Sequence, residues 1–572
     1  MDSETKICQN CKKDFTIEPE DFNFYEKIKV PPPTFCPECR LIRRMAWRNV
    51  RSLYKRSCGL CEKSLISMYS DKDTAPVYCT ECYYGGNWDQ FVNAKEYDFS
   101  KTFFEQLSEL LKINPRFYAY KFGNLINSEF INFAIDDKNC YLSYSVIYCE
   151  DVSYSENIDN SKNSLDCLAV NKLDNCYQNI DCELNYNTHY AIKSNNCIDS
   201  YFLYDCKNCQ NCFLSSNLRN QQYYFNNIKL SKEEYFKKLK EYYLETHAGI
   251  EKAKKEFELL TKEKSIHKYA SIYASQNATG DYIHNSRNIK RSFNTIDSEN
   301  VAYSYRVIKS KDVFDSSGLA TGELIYEGMA PTGNTFKDFF CYITIEGCRE
   351  CEYSFILKNC SNCFGCVGLT NAKFYILNKQ YSEKEYFEIL GKIKEQMMKM
   401  PYIDNNGRIY KYGEFFPIEL SFFAYNETQA QEYFPLTKRE ALKQGYKWKD
   451  RIERNYKIDI KNEDIPDNLL DVNESIIGKV IECEHQGECK EQCTEAFKIT
   501  ASEFQFYKRI NLPIPHLCPN CRHIQRIEQR NPPKLWHRQC MKPGCANEFE
   551  TSYAPERPEI VYCEKCYQQE VY

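Results

Sequence analysis

Polar and apolar positions in the middle of the chain recur at a fixed spacing. From residue 138 an Asn or Asp followed by a small or apolar residue returns every 12 positions: Asn139-Cys140, Asp151-Val152, Asn163-Ser164 and Asn175-Cys176, and later Asn196-Cys197 and Asn208-Cys209. A second series runs through Asn288-Ile289, Asn300-Val301 and Asp312-Val313, and Asn359-Cys360 belongs to it further on. A unit this short accommodates one strand and one turn, so stacked units predict a parallel β-solenoid, with Asn laddered at the turns and Cys, Val or Ile inward.

The two series end alike. Cys209, Cys212, Phe213, Leu218, Asn220, Tyr224 and Asn227 match Cys360, Cys363, Phe364, Leu369, Asn371, Tyr375 and Asn378 in order. Each end is followed by a capping box, Ser231-x2-Glu234 or Ser382-x2-Glu385, which predicts a helix covering the open sheet edge. Residues 247–266 predict a charged helix with Leu259 and Leu260 on its apolar side, and Thr437-x2-Glu440 opens a shorter one. The charged stretch 450–476, interrupted by Pro466, is the expected linker.

At 572 residues several domains are expected. The pattern divides the chain into an N-terminal double zinc module (1–112), a first solenoid with its helix (113–245) and a helical connector (246–280). A second solenoid with its helix (281–400), an irregular α+β connector and linker (401–476) and a C-terminal double zinc module (477–572) follow. The fold class is multidomain and mainly β: two four-cysteine zinc-ribbon or treble-clef-like modules flanking two parallel β-solenoid segments with capping helices. No stretch is apolar enough for a signal peptide or a bilayer span, so the expectation is a cytoplasmic protein without membrane contact.

The cysteines define the ends. Of the 32, the first eight form four pairs: Cys8 with Cys11, Cys36 with Cys39, Cys58 with Cys61, and Cys79 with Cys82. On the same register the C-terminal end offers Cys518 with Cys521, Cys540 with Cys545, and Cys563 with Cys566. Phe15, Tyr25, Ile28, Asn49 and Tyr78 likewise match Phe497, Tyr507, Ile510, Asn531 and Tyr562. Zinc takes four tetrahedral ligands and a CxxC turn presents two thiolates, so two pairs close one structural site. Four structural zinc ions are expected, with sequential pairing favoured and interleaved pairing open. The last site is irregular, and Cys489 and Cys493 are the expected ligands, with Cys483 and His485 as alternatives.

The run Cys206-x2-Cys209-x2-Cys212 and its analogue Cys360-x2-Cys363-x2-Cys366 have the spacing of an iron–sulfur ligand set. In register, however, Cys206 matches Leu357 and Cys366 matches Ser215, so buried thiols acting as small hydrophobes are the favoured reading.

After each second knuckle lies a basic helix: Arg40, Arg44 and Arg48 at i, i+4 and i+8 share one face, and Arg522, Arg526 and Arg530 repeat them. Guanidinium rows at this spacing suit a nucleic-acid backbone, with Trp47, Tyr54 and Trp536 available for stacking on unpaired bases. The overall net charge of −5 argues against a generally basic surface. The same arginines could instead neutralise the negative four-thiolate sites.

The segment ICQNCKKDFTIEPEDFNFYEKIKVPPPTFCPECRLIRR resembles a zinc-ribbon family, and residues 489–526 resemble it more loosely. Across its length, through FCPECRLIRRMAWRNVRSLYKR, GEFFPIELSFFAYNETQAQEYFPLT and TSYAPERPEIVYCEKCY, the chain is similar to large uncharacterised zinc-ribbon proteins of candidate-phyla (Patescibacteria-type) bacteria. Some of these carry a CaiB/BaiF acyl-CoA transferase label; the resemblance implies zinc and supplies no activity.

No phosphate loop, dinucleotide fingerprint or HExxH is present, the eight histidines are scattered, and neither a catalytic set nor a small-molecule cofactor is indicated. The leading expectation is a non-enzymatic zinc protein that binds nucleic acid, RNA above single-stranded DNA, through the basic helices. The alternative is a protein-interaction scaffold on Tyr-rich solenoid faces, with zinc purely structural. Carbohydrate recognition on a solenoid groove rests on analogy of fold alone.

Overall fold

The computed structural model describes residues 2–451, 457–490 and 492–572. Its middle is governed by a backbone rule. Every third residue from Asp136 to Asn226 has a left-handed conformation, and the residue after each one, from Asp137 to Ser215, is buried. Left-handed backbone costs least for Asn and Asp among residues with a Cβ, which explains the enrichment seen in the sequence. Each three-residue side is extended, each corner turns the chain, and four sides complete a circuit. The parallel partner therefore lies 12 residues on: Ile131 with Ser143, Tyr144 with Glu156, Tyr186 with Ile198 and Gln210 with Gln222.

The second series obeys the same rule from Tyr282 to Ala330, with register Arg287–Glu299–Lys311–Glu323. It slips by one residue at Gly333–Asn334 and again at Glu346–Gly347, so that Tyr342 pairs with Phe355. Arg287–Ile296 and Ser317–Tyr326 each pair with segments on two sides, and five segments close into a ring.

The 12-residue unit thus holds four left-handed positions where one strand and one turn were expected. The inward slot accepts several residue types because its polar atom has a local partner. Ser143 Oγ donates to the carbonyl of Tyr141 at 3.2 Å, and the Cys149 and Cys206 thiols donate in the same way to Ile147 and Tyr204 at 3.4 and 3.5 Å. The Cys206, Cys209, Cys212 spacing is that of three successive inward slots, all three buried. At the corners amides ladder between circuits: Asn139 onto Asp151 at 2.9 Å, Asn187 onto Asp199 at 2.7 Å, and Asn300 onto Asp312 at 2.7 Å.

The capping boxes form as read, opening helices Lys232–Lys240, Glu383–Lys399 and Lys438–Lys443. Tyr235 and Tyr386 of the first two pack on Phe225 and Phe374 of the last ladder strands. In the His247–Leu259 helix the buried face is Ile250, Ala253 and Phe257, continued by Leu260, while Leu259 is exposed: it lies one residue off that stripe. Of the expected 450–476 linker, residues 452–456 lie outside the described residues. The remainder buries Ile465, Leu469, Val472 and Ile476, so it packs as part of the core.

Both modules use one plan. In the first, hairpin Glu4–Ile7/Asp14–Ile17, helices Pro19–Ile28 and Pro37–Met45, hairpin Tyr54–Ser57/Ser64–Ser67 and helix Thr80–Tyr84 follow in order. In the last, Ile481–Glu482/Ala496–Phe497, Ala501–Ile510, Pro519–Glu528, Trp536–Gln539/Glu548–Thr551 and Glu564–Val571 repeat them. Each module packs aromatic side chains on the ladder more distant in sequence and also touches the nearer one, Arg48 lying over Phe133 and Arg530 reaching Asn294. Phe24 stacks on Phe314 at 3.8 Å and Trp47 packs on Phe355, whereas Tyr507 packs on Tyr177.

Candidate metal centres and the buried arginine rows

Four groups of four cysteine sulfurs converge: Cys8, Cys11, Cys36 and Cys39; Cys58, Cys61, Cys79 and Cys82; Cys483, Cys493, Cys518 and Cys521; Cys540, Cys545, Cys563 and Cys566. Pairing is sequential within each module. Separations of 3.7 Å for Cys11–Cys36, 3.8 Å for Cys61–Cys79, 3.9 Å for Cys493–Cys518 and 3.9 Å for Cys545–Cys563 are uniform. A tetrahedral ion with metal–sulfur bonds of about 2.3 Å sets its sulfurs about 3.8 Å apart, close to these separations, and 3.5 Å for Cys518–Cys521 is slightly shorter. All 32 cysteines are unpaired by disulfides.

The surroundings suit thiolates. Cys36, Cys79, Cys518 and Cys563 are each the N-cap of a helix, where the dipole favours negative charge. Their backbone N–H groups donate to Cys8, Cys58, Cys483 and Cys540 at 3.2 to 3.3 Å. Side-chain amides add to this: Asn10 donates to Cys39 and Asn547 to Cys563, both at 3.4 Å. Burial raises the Cys58 thiol, but N–H groups of Cys61, Cys79 and Leu60 outweigh it and bring the thiol down to about 6.

The third group corrects the expected ligand set. Cys483 makes up its four, following the first hairpin strand as Cys8 does and accepting the same backbone bond from the second knuckle, while Cys489 converges with His485 and Cys521 in a second candidate group. The knuckle has been lengthened to Cys483-x9-Cys493, and the loop between carries Cys489, whose sulfur lies 3.7 Å from Cys521. The sequence signal was the strand ending IEC beside KIC, which the preference for the shorter spacing Cys489-x3-Cys493 overrode.

The basic helices are corrected more deeply. Arg40, Arg44, Arg48, Arg522, Arg526 and Arg530 are all interior, none more than 5% exposed. Arg40 reaches Asp315 at 2.9 Å, and Arg44 reaches Asp315 at 3.3 Å and Glu327 at 3.1 Å. Arg43 joins Glu327 at 2.7 Å and Glu414 at 3.0 Å. In the other module Arg522 and Arg526 share Asp166 at 2.8 and 2.7 Å, and Arg530 holds Asp181 at 2.8 Å. A guanidinium row buried against carboxylates has no face for a phosphate backbone. Nor does it chiefly neutralise thiolates, since most of its ion pairs run to ladder carboxylates. Spacing alone put the arginines on one face; nothing in it told which face would be covered. Trp47 is fully buried among Phe355, Phe416 and Phe422, and Tyr54 is engaged by Glu427 and Lys449.

No protein family matches the chain in sequence, and no curated protein does. The solved structure of a "putative acetyltransferase" from Desulfovibrio desulfuricans G20 aligns over 51% of this chain and 83% of that one, at 10% identity and a TM-score of 0.10. A TM-score that low carries no argument about fold or activity. The fold and sites define a multidomain, strand-rich chain whose four-cysteine clusters could each hold a metal ion, consistent with zinc-ribbon-like modules. No helix among the described residues is long and apolar enough to cross a membrane.

Proposed function

We propose that the protein is a zinc-stapled binding scaffold. In this reading the terminal modules are structural zinc clamps, the two ladders are parallel β-solenoids closed by capping helices, and an exposed solenoid face takes a protein partner. The carrying observation is the inward direction of the arginine rows: each zinc module spends its basic helix on docking to a ladder.

The face best suited to a partner is a polar channel of about 960 Å³ along the second ladder. Arg287, Glu299, Lys311 and Glu323 stand in register along it, followed by Phe336 and Arg349. Alternating sign favours an extended polypeptide of alternating charge over a polyanion, whose every phosphate near Glu299 or Glu323 would be repelled. The test is retention on immobilised RNA and on immobilised charge-alternating peptide across a salt series. Peptide retention weakened by Lys311→Glu, with no salt-dependent RNA retention, is expected. Salt-dependent binding to RNA with indifference to Lys311→Glu would overturn the reading.

A further inference from the structure

Between the first ladder, the His247–Leu259 helix and the C-terminal module lies a half-enclosed cavity of about 490 Å³. Ile192, Phe202 and Phe257 give it apolar wall. Four polar side chains from three distant parts of the chain also meet on its lining. Lys193 Nζ donates to Tyr553 Oη at 3.2 Å, and Tyr553 Oη lies 3.1 Å from His267 Nδ1 and 3.4 Å from Tyr204 Oη. Tyr204 Oη lies 2.6 Å from His267 Nδ1.

The protonation pattern follows from the far side of the ring. His267 Nε2 is 2.6 Å from the Thr261 carbonyl, which can only accept, so Nε2 carries the hydrogen and Nδ1 accepts from Tyr204. Burial holds the imidazole down to about 4, so it is neutral at ordinary pH. The single cation of the cluster is therefore Lys193.

That cation lacks a carboxylate within ion-pair reach among the described residues, and lies against the rings of Tyr282 and Tyr553 at 5.3 and 5.4 Å. The other cations on the lining have theirs: Lys254 with Glu251, Lys262 with Glu258, and Arg557 with Glu559. Glu528 also lines the cavity. Asp281, whose field reaches Lys193, is itself bonded by Ser552 and by the N–H groups of Ser271 and Tyr282.

The duplicate half shows what this place looks like without a cavity. Ser67 and Thr551 donate to the carbonyls of Tyr118 and Tyr269, and Val77–Arg116 and Val561–His267 are corresponding strand pairs. On that register Tyr69 stands for Tyr553, Arg116 for His267, Phe355 for Tyr204 and Ile343 for Lys193. There Phe422 fills the space, 3.6 Å from the Arg116 guanidinium, 5.9 Å from Phe355 and 6.0 Å from Tyr69. One copy is plugged with aromatic rings; the other is open and polar.

We propose that the open copy binds a small molecule bearing one carboxylate on a flat apolar body, with the carboxylate on Lys193 and the Tyr553 hydroxyl and the body against Phe202 and Phe257. A single unpaired cation matches one negative charge, and a phosphate dianion would leave a second charge poorly compensated in a half-buried site. The volume lies in the range of small-molecule sites.

The test is calorimetric titration of the zinc-loaded full chain with benzoate, phenylacetate and naphthoate, each beside its neutral carboxamide. At least one carboxylate is expected to bind, with its carboxamide weaker by about tenfold or more. Lys193→Met should abolish the difference, Tyr553→Phe should weaken binding several-fold, and Tyr69→Phe, at the plugged copy, should leave it unchanged. Melting temperature and zinc content check folding of each variant. If Lys193→Met fails to fold, the carboxylate-to-carboxamide ratio of the unaltered protein and Tyr553→Phe decide. Equal binding of carboxamide and carboxylate, no binding of any of the three acids, or full binding by Lys193→Met would overturn the proposal.

Discussion

At the C-terminal junction Arg530 meets Asp181 at 2.8 Å, whereas its counterpart at the N-terminal junction, Arg48, has Ala330 where that carboxylate would stand. Arg48 is nonetheless buried. It lies over the Phe133 ring at 4.0 Å with one long bond to Ser145, beside Gly318, where any Cβ would collide with its guanidinium. Burial and then Arg306 bring it down to about 10, while Arg530 is held above the usual arginine value because Asp181 and nearby tyrosines outweigh its burial. The burial of Arg48 without its carboxylate shows that the row is set by docking geometry first. The ladder carboxylates are the electrical complement where they exist.

The largest expected effect is at the shared carboxylates. Asp166→Ala leaves Arg526 without its carboxylate and Arg522 with Glu503 alone, and Asp315→Ala leaves Arg40 without its carboxylate and Arg44 with Glu327 alone, each in an interior site; each should cost about 3–5 kcal/mol in denaturant unfolding. Losses under about 1 kcal/mol at both would break the docking account, since that is the scale of exposed pairs. The comparison sharpens at the unequal pair. Arg530→Met should cost about 3 kcal/mol, whereas Arg48→Met, which removes a buried charge without a carboxylate, should be near neutral or stabilising.

Acid should distinguish the halves as well. The N-terminal module contains no histidine, whereas the first ladder buries His189, held down to about 3 by burial, the connector after it buries His267, and the C-terminal module half-buries His516, these last two held down to about 4 mainly by burial. Their folded values lie below the ordinary 6.5, so the unfolded chain takes the protons first. The associated stability is intact above about pH 6.5 and is lost as the pH falls towards 4, at up to about 1.4 kcal/mol per pH unit per proton. Hydrogen exchange between pH 7 and 4 should show the first ladder and the C-terminal module docked on it opening before the N-terminal module, and His189→Gln should flatten the slope by about one proton. The smallest effect is expected inside the ladder: Cys209→Ser should cost about 1 kcal/mol or less, because Ser200 and Ser215 already occupy the same kind of slot.

The sequence carried the repeats, their Asn ladders, the capping boxes and the doubled module, since each is written by residues near one another in the chain. The shorter period of three was also present, but Cys, Ser, Val, Thr and Asn share the inward slot, so no single residue type marks it. Two things were not legible. Cys483 is separated from Cys493 by an insertion, and only the paired hairpin identifies it. The partners of the arginines, Asp166, Asp181, Asp315 and Glu327, read as ordinary corner residues until each module is seen to dock on the ladder remote from it in sequence. The polar cavity has the same character, assembled from Lys193, His267 and Tyr553, which share no motif.

The most direct measurement is zinc per chain, by elemental analysis of protein purified under reducing, chelator-free conditions. One ion per four-cysteine group gives about four. Cys483→Ser should lower the value to about three and Cys489→Ser should leave it at about four. Zinc near zero, or a loss with Cys489→Ser and none with Cys483→Ser, would contradict the account.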